Sequence, residues 1–117
     1  MDLTLSTTDH DGIAVLAVGG EIDLATVPKL RDQLVELTAE HPGQPVMVDL
    51  EGVTFLDSTG LGVLVGGQRR ARAHDGELHL VVTSPRLLDI FVLTRLDAVF
   101  TIHATRAEAL GVISGGA

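Results

Sequence analysis

A chain of 117 residues with 45% apolar side chains is long enough to bury one core, and short for an enzyme that must also wall off a substrate. A formal charge of −8, no Trp or Tyr, and only Phe55, Phe91 and Phe100 as aromatics disfavour direct nucleic-acid binding, because phosphates are repelled and unpaired bases find no stacking platform. The absence of cysteine excludes disulfides and thiolate metal sites; with no basic-plus-apolar leader and no apolar run near the roughly 18 residues of a membrane span, the chain reads as one cytoplasmic domain, 1–117, with no membrane partner.

Leu3-Thr4-Leu5-Ser6-Thr7 alternates, Ile13 to Val18 is rich in β formers, and Asp9-His10-Asp11-Gly12 between them carries turn chemistry, which predicts an antiparallel hairpin. After Gly20-Glu21-Ile22-Asp23, Val27, Leu30, Leu34 and Leu37 recur at helical spacing, with Thr26 and Pro28 at the head and Pro42-Gly43 beyond the end. Val46 to Leu50 predicts a third strand. The Asp57 to Gly62 turn then opens a helix to about Ala73, closed by His74-Asp75-Gly76. Leu78 to Val82 is the fourth strand, Ser84-Pro85 heads a short helix with Leu87, Leu88 and Phe91 on its apolar face, and Val99 to Ile102 is a last strand. Thr105 and Glu108 have capping-box spacing ahead of a helix running towards Ile113, and Gly115-Gly116-Ala117 is expected to fray. The order ββαβαβαβα predicts an α/β domain. Its mixed sheet begins with a hairpin, continues by strand–helix alternation with right-handed crossovers, and packs with about four helices.

Chemistry concentrates where the third strand hands over to a helix. Loops at the carboxyl ends of parallel strands gather functional groups, and Leu56-Asp57-Ser58-Thr59 lies at such an end. Asp57 is placed to cap the helix by accepting from the amide of Thr59 or Gly60, leaving Ser58 at the first helical position and open to a modifying enzyme. A phosphate on Ser58 would add about −1.5 to −2 charge in the positive field of the helix start, where first-turn amides lack intrahelical partners. The same tetrapeptide also reads as capping chemistry alone. Gly60, Gly62, Gly66 and Gly67 each cost roughly 1 kcal/mol inside a helix, which either close packing on the sheet or a flat docking face would offset.

Other chemistries fit less well. The glycines do not complete a dinucleotide fingerprint and no P-loop Gly-Lys-Ser/Thr occurs, so no cofactor is expected. Arg69, Arg70 and Arg72 suit the carbonyl end of their helix. His10, His41, His74, His79 and His103 lack metal-ligand spacing and read as surface or satisfied residues. Phe55-Leu56-Asp57-Ser58-Thr59-Gly60 lacks the glycine that precedes the serine of a hydrolase elbow. A phosphoacceptor receiver with Asp49 as its aspartate would need a lysine after the last strand, and the only lysine is Lys29.

Taken together, Gly20-Glu21-Ile22-Asp23, Val48-Asp49-Leu50 with Val53-x-Phe55, Asp57-Ser58-Thr59-Gly60-Leu61-Gly62, Gly76-Glu77-Leu78, and Ser84-Pro85 with Phe91 resemble the STAS domain family, in particular bacterial anti-sigma-factor antagonists. The resemblance covers nearly the whole length and implies a single non-enzymatic STAS domain. It implies that Ser58, with Thr59 as an alternative acceptor, is phosphorylated by a cognate anti-sigma factor that is a serine kinase, and that a serine phosphatase resets it. By the same resemblance the unphosphorylated form binds the kinase and frees its sigma factor. Asp23, Asp57, Ser58, Thr59, Gly60 and Leu61 are the implied partner-binding positions. Thr59 stands where many members carry a second serine. The alternative is a STAS scaffold subunit of a stress-signalling or transport assembly, with no phospho-switch at Ser58.

Overall fold

The turn at Asp9–Gly12 forms as its residues predict in a computed structural model of the chain, which describes residues 2–115. Asp11 and Gly12 take φ of 52° and 87°, and the Gly12 amide donates to the Asp9 carboxylate at 2.9 Å. The chain folds back there, so β1 (Leu3–His10) pairs antiparallel with β2 (Ile13–Ile22), Leu3 opposite Gly20 and His10 opposite Ile13. Three strand–helix units follow: α1 (Val27–Glu40), β3 (Pro45–Leu56), α2 (Ser58–Ala73), β4 (Glu77–Val81), α3 (Pro85–Leu93) and β5 (Thr101–His103). A last helix, α4 (Arg106–Gly115), closes the described chain. The sheet order is β1-β2-β3-β4-β5, with β2 to β5 all parallel. The expected mixed α/β sheet with four α-helices is thus present.

Because each new parallel strand adds on the same side, right-handed crossovers carry α1, α2 and α3 onto one face of the sheet. Leu30, Leu34 and Leu37 of α1, Leu61 and Leu64 of α2, and Leu87 and Phe91 of α3 form one buried cluster with Val46, Val48, Leu50, Leu78 and Leu80 of the strands. Gln68 fixes α2 against this layer. Its side chain is buried, accepts from the Leu78 amide at 2.7 Å and donates to the Val99 carbonyl at 3.0 Å, which ties the helix to the start of β4 and to the turn before β5.

Two strands run further than their alternation predicts. β3 continues from the expected Val46–Leu50 to Leu56, and β2 continues to Ile22, because register shifts at Ala17/Gly19 and Gly20/Glu21 carry the pair past its irregularity. Gly52 makes this passage feasible: a Cβ there would lie 3.2 Å from both the Gly19 Cα and the Val18 carbonyl oxygen. β5 is Thr101–His103 and not Val99–Ile102, since Leu96–Ala98 winds a 3₁₀ turn entered through Arg95 at φ 60°. Thr105 caps α4 through the Glu108 amide at 3.1 Å, while the Glu108 carboxylate reaches back to the Ala104 amide. The fraying expected of Gly116 and Ala117 lies outside the described residues.

The opposite face is covered by α4, which sets Ala109, Leu110 and Ile113 over Ile13, Val15, Met47 and Val81. Two of the five histidines are buried here: His79 and His103 stack with ring centroids 5.3 Å apart and share a hydrogen bond between Nδ1 and Nε2 at 3.1 Å. Burial holds His79 below its ordinary value near 6.5; Glu77 pulls it upward and His103 adds to the lowering. The fold therefore favours the neutral ring, and below about pH 6.5 the unfolded chain binds more protons than the native one. Stability is expected to fall as pH drops through 6.5 toward the lowered native value. Melting temperatures followed over this range should show the fall, and His79→Gln should flatten it.

Candidate functional site

Ile22 and Leu56 are register partners on adjacent parallel strands, so Asp23 and Asp57 are the first residues past two neighbouring carboxyl ends. The two exits are joined by the Asp57 amide, which donates to the Ile22 carbonyl at 3.2 Å. Asp23 winds the first exit, its carboxylate accepting from the Ala25 and Thr26 amides, both at 3.0 Å. The Thr26 hydroxyl donates to the Glu21 carbonyl and accepts from the Asp23 amide, so it braces this loop instead of capping α1.

Asp57 caps α2 as its position predicts. One carboxylate oxygen accepts from the Thr59 amide at 3.0 Å, the Gly60 amide at 3.1 Å and the Thr59 hydroxyl. These donors, led by the Thr59 hydroxyl and then the Gly60 amide, hold the Asp57 carboxyl below the usual carboxylate range and keep it charged. The Leu61 amide donates to the Asp57 carbonyl at 3.1 Å. The amides of residues 59 to 61 are consequently engaged, whereas the Ser58 amide makes no hydrogen bond among the described residues, so a group on Ser58 meets the helix field with one open donor beside a carboxylate that holds the next two.

The two hydroxyls differ. Ser58 is exposed and its hydroxyl makes no hydrogen bond among the described residues, whereas Thr59 is partly buried with its hydroxyl tied to Asp57. Asp23, Asp57, Ser58 and Thr59 come together at one surface. Gly60 and Leu61 lie beneath it: a Cβ on Gly60 would stand 2.5 Å from Ile22 Cγ2 and from Leu56 Cδ1, and Leu61 is only 8% exposed, within the core. Their direct effect is to seat the helix start on the sheet. The four helix glycines divide the same way, Gly60 and Gly67 serving close packing while Gly62 and Gly66 open outward without a core neighbour. Leu24, 74% exposed, and Phe55, 49% exposed, are apolar groups on the loop and strand that border this site. Sequence alternation predicts neither exposure, because both follow the irregular stretch of β2 and β3. Among the described residues no cluster of three or more His, Asp or Glu is arranged to hold a metal ion, and no helix is long and apolar enough to cross a membrane.

The description of the STAS domain matches residues 4–109. The chain belongs to the STAS domain family. It is 36% identical over 109 residues to the anti-sigma-B factor antagonist of Staphylococcus aureus, a stretch that covers 92% of this chain and all of that protein. The crystal structure of an anti-sigma factor antagonist from Mycobacterium paratuberculosis superposes with a TM-score of 0.88 at 32% identity, covering 97% of this chain and 95% of the other. The same STAS fold is found in the Bacillus cell fate determinant SpoIIAA in its phosphorylated form, with a TM-score of 0.68 at 23% identity over 93% and 96% of the two chains. Both of the more similar proteins are named for a regulatory role, antagonism of an anti-sigma factor.

Proposed function

We propose that this chain is a cytoplasmic anti-sigma-factor antagonist switched by phosphorylation of Ser58. The unmodified form docks through the Asp23–Asp57–Ser58 surface on an anti-sigma factor that is a serine kinase and displaces its sigma factor; a serine phosphatase restores the form that binds. In the transfer, the Ser58 hydroxyl oxygen attacks the terminal phosphorus of ATP held by the kinase, ADP leaves, and the hydroxyl proton passes to a base on the kinase. The observation that carries this reading is the contrast between neighbouring hydroxyls: that of Ser58 is exposed and unengaged, that of Thr59 is held by Asp57. The antagonist names of its relatives and the phosphorylated state of SpoIIAA support it.

Incubation with ATP and a purified candidate kinase is expected to add the mass of one phosphoryl group to the wild-type chain and to Thr59→Ala, and none to Ser58→Ala. Phosphoryl transfer that survives in Ser58→Ala and disappears in Thr59→Ala would overturn the assignment.

A further inference from the structure

An open cleft of about 440 Å³ lies between the end of β3 and α3, beside the Ser58 surface. Val53, Phe55, Leu56, Leu87 and Ile90 supply its apolar lining, and Arg86 lines it too, with the hydroxyl-bearing Thr54 and Ser84. Leu56, which lines the cleft, is separated from Ser58 only by Asp57, so the cleft and the Ser58 hydroxyl lie at the same end of β3. Its charge is the reverse of its neighbour's. Asp23 and Asp57 make the Ser58 side acidic, whereas Arg86 is exposed and forms no ion pair among the described residues; Arg31, Arg72 and Arg106 each face a carboxylate. Lys29, Arg69, Arg70 and Arg95 likewise form no ion pair among the described residues, and what sets Arg86 apart from them is its place in the lining of this cleft.

We infer that this cleft is a second docking point for the anti-sigma factor, taking a segment with one large apolar side chain next to a carboxylate. The inference rests on the Ser58 reading above. The volume is at the small end of those that enclose a ligand and is large enough for an apolar side chain between Phe55 and Ile90. The neighbouring carboxylate meets Arg86, whose planar fork binds such a group through two hydrogen bonds. Cation and apolar hollow on one side of Asp57, and acidic pair and hydroxyl on the other, together fix the partner's orientation. Phosphorylation then acts on one half of a surface whose other half still offers its contact.

Affinity of the full-length chain for the anti-sigma factor that binds the wild type, measured by titration calorimetry, tests the assignment. Arg86→Glu and Phe55→Ser are each expected to weaken binding by about tenfold or more, with Arg86→Lys losing less and Arg31→Glu, an equal charge change on α1, leaving it unchanged. Matching melting temperatures for Arg86→Glu and the wild type would verify that the fold is kept. Wild-type affinity in Arg86→Glu would overturn the cleft assignment while leaving the Ser58 switch standing. An equal loss in Arg31→Glu would reduce the effect to long-range charge and overturn it too. If wild-type chain binds no serine-kinase anti-sigma factor, the Ser58 reading falls and this one with it. Self-association of the wild type that Arg86→Glu abolishes would give the cleft to a second copy of the chain, against the proposal.

Discussion

Phosphorylated chain is expected to bind the anti-sigma factor roughly 200 to 1,000 times more weakly than unmodified chain, a difference of about 3 to 4 kcal/mol. The reason lies in what surrounds Ser58. A neutral hydroxyl is desolvated at an interface at little cost if it finds a partner, while a phosphate near −2 must lose its water beside Asp57, whose carboxyl is kept charged by Thr59 and Gly60. The amides of residues 59 to 61 are engaged by that carboxylate and by the Asp57 carbonyl, which leaves only the Ser58 amide of the first turn open to the new charge. The macrodipole offsets about 0.3 to 2 kcal/mol and does so in free and bound chain alike, which protects the fold without protecting the complex. Calorimetric titration of both forms into the kinase measures the difference. Ser58→Ala should retain affinity and Ser58→Asp should lose part of it, since aspartate carries less charge than phosphate. Equal affinities for the phosphorylated and unmodified forms would contradict the mechanism.

What the sequence reveals of this site is its local part. Asp57 followed by Ser58, Thr59 and Gly60 ahead of an apolar repeat is a helix start by short-range chemistry, and the cap forms with the amides expected of it. The hairpin and the strand–helix order are legible for the same reason: period and turn residues act over a few positions. Long-range features are not. The extension of β3 to Leu56 depends on Gly52 meeting the backbone of Gly19, 33 positions earlier, and a strand read by alternation alone stops at Leu50. The difference between the Ser58 and Thr59 hydroxyls comes from a side-chain hydrogen bond that residue identity alone does not assign to one or the other. Leu61, at a position the resemblance places among the partner-binding residues, packs into the core with Ile22 and Leu56 of the strands, which the motif itself does not announce. His79 with His103 and Asp49 with Arg106 are joined across 24 and 57 positions, beyond any motif window.

Removing the Arg106 side chain by Arg106→Leu is expected to cost about 3 kcal/mol, at the low end of the range for breaking a buried pair because Arg106 keeps 42% of its side chain in solvent. Asp49 is only 7% exposed at its side chain, and one of its oxygens accepts from both Arg106 Nε at 3.0 Å and Nη2 at 2.6 Å while the other takes the Glu51 amide at 2.9 Å. Without Arg106 the carboxylate stays between β3 and α4 with one donor, and the cost is mainly that of an uncompensated charge. Replacing both residues with apolar ones, as in Asp49→Leu with Arg106→Leu, removes that charge and should recover most of the loss; urea unfolding of the single and double variants measures the coupling. The pair lies on the face covered by α4, whereas Ser58 begins a helix on the other face. At temperatures where Arg106→Leu remains folded, its affinity for the anti-sigma factor should therefore match the wild type, and a parallel loss of binding would place α4 within the docking surface.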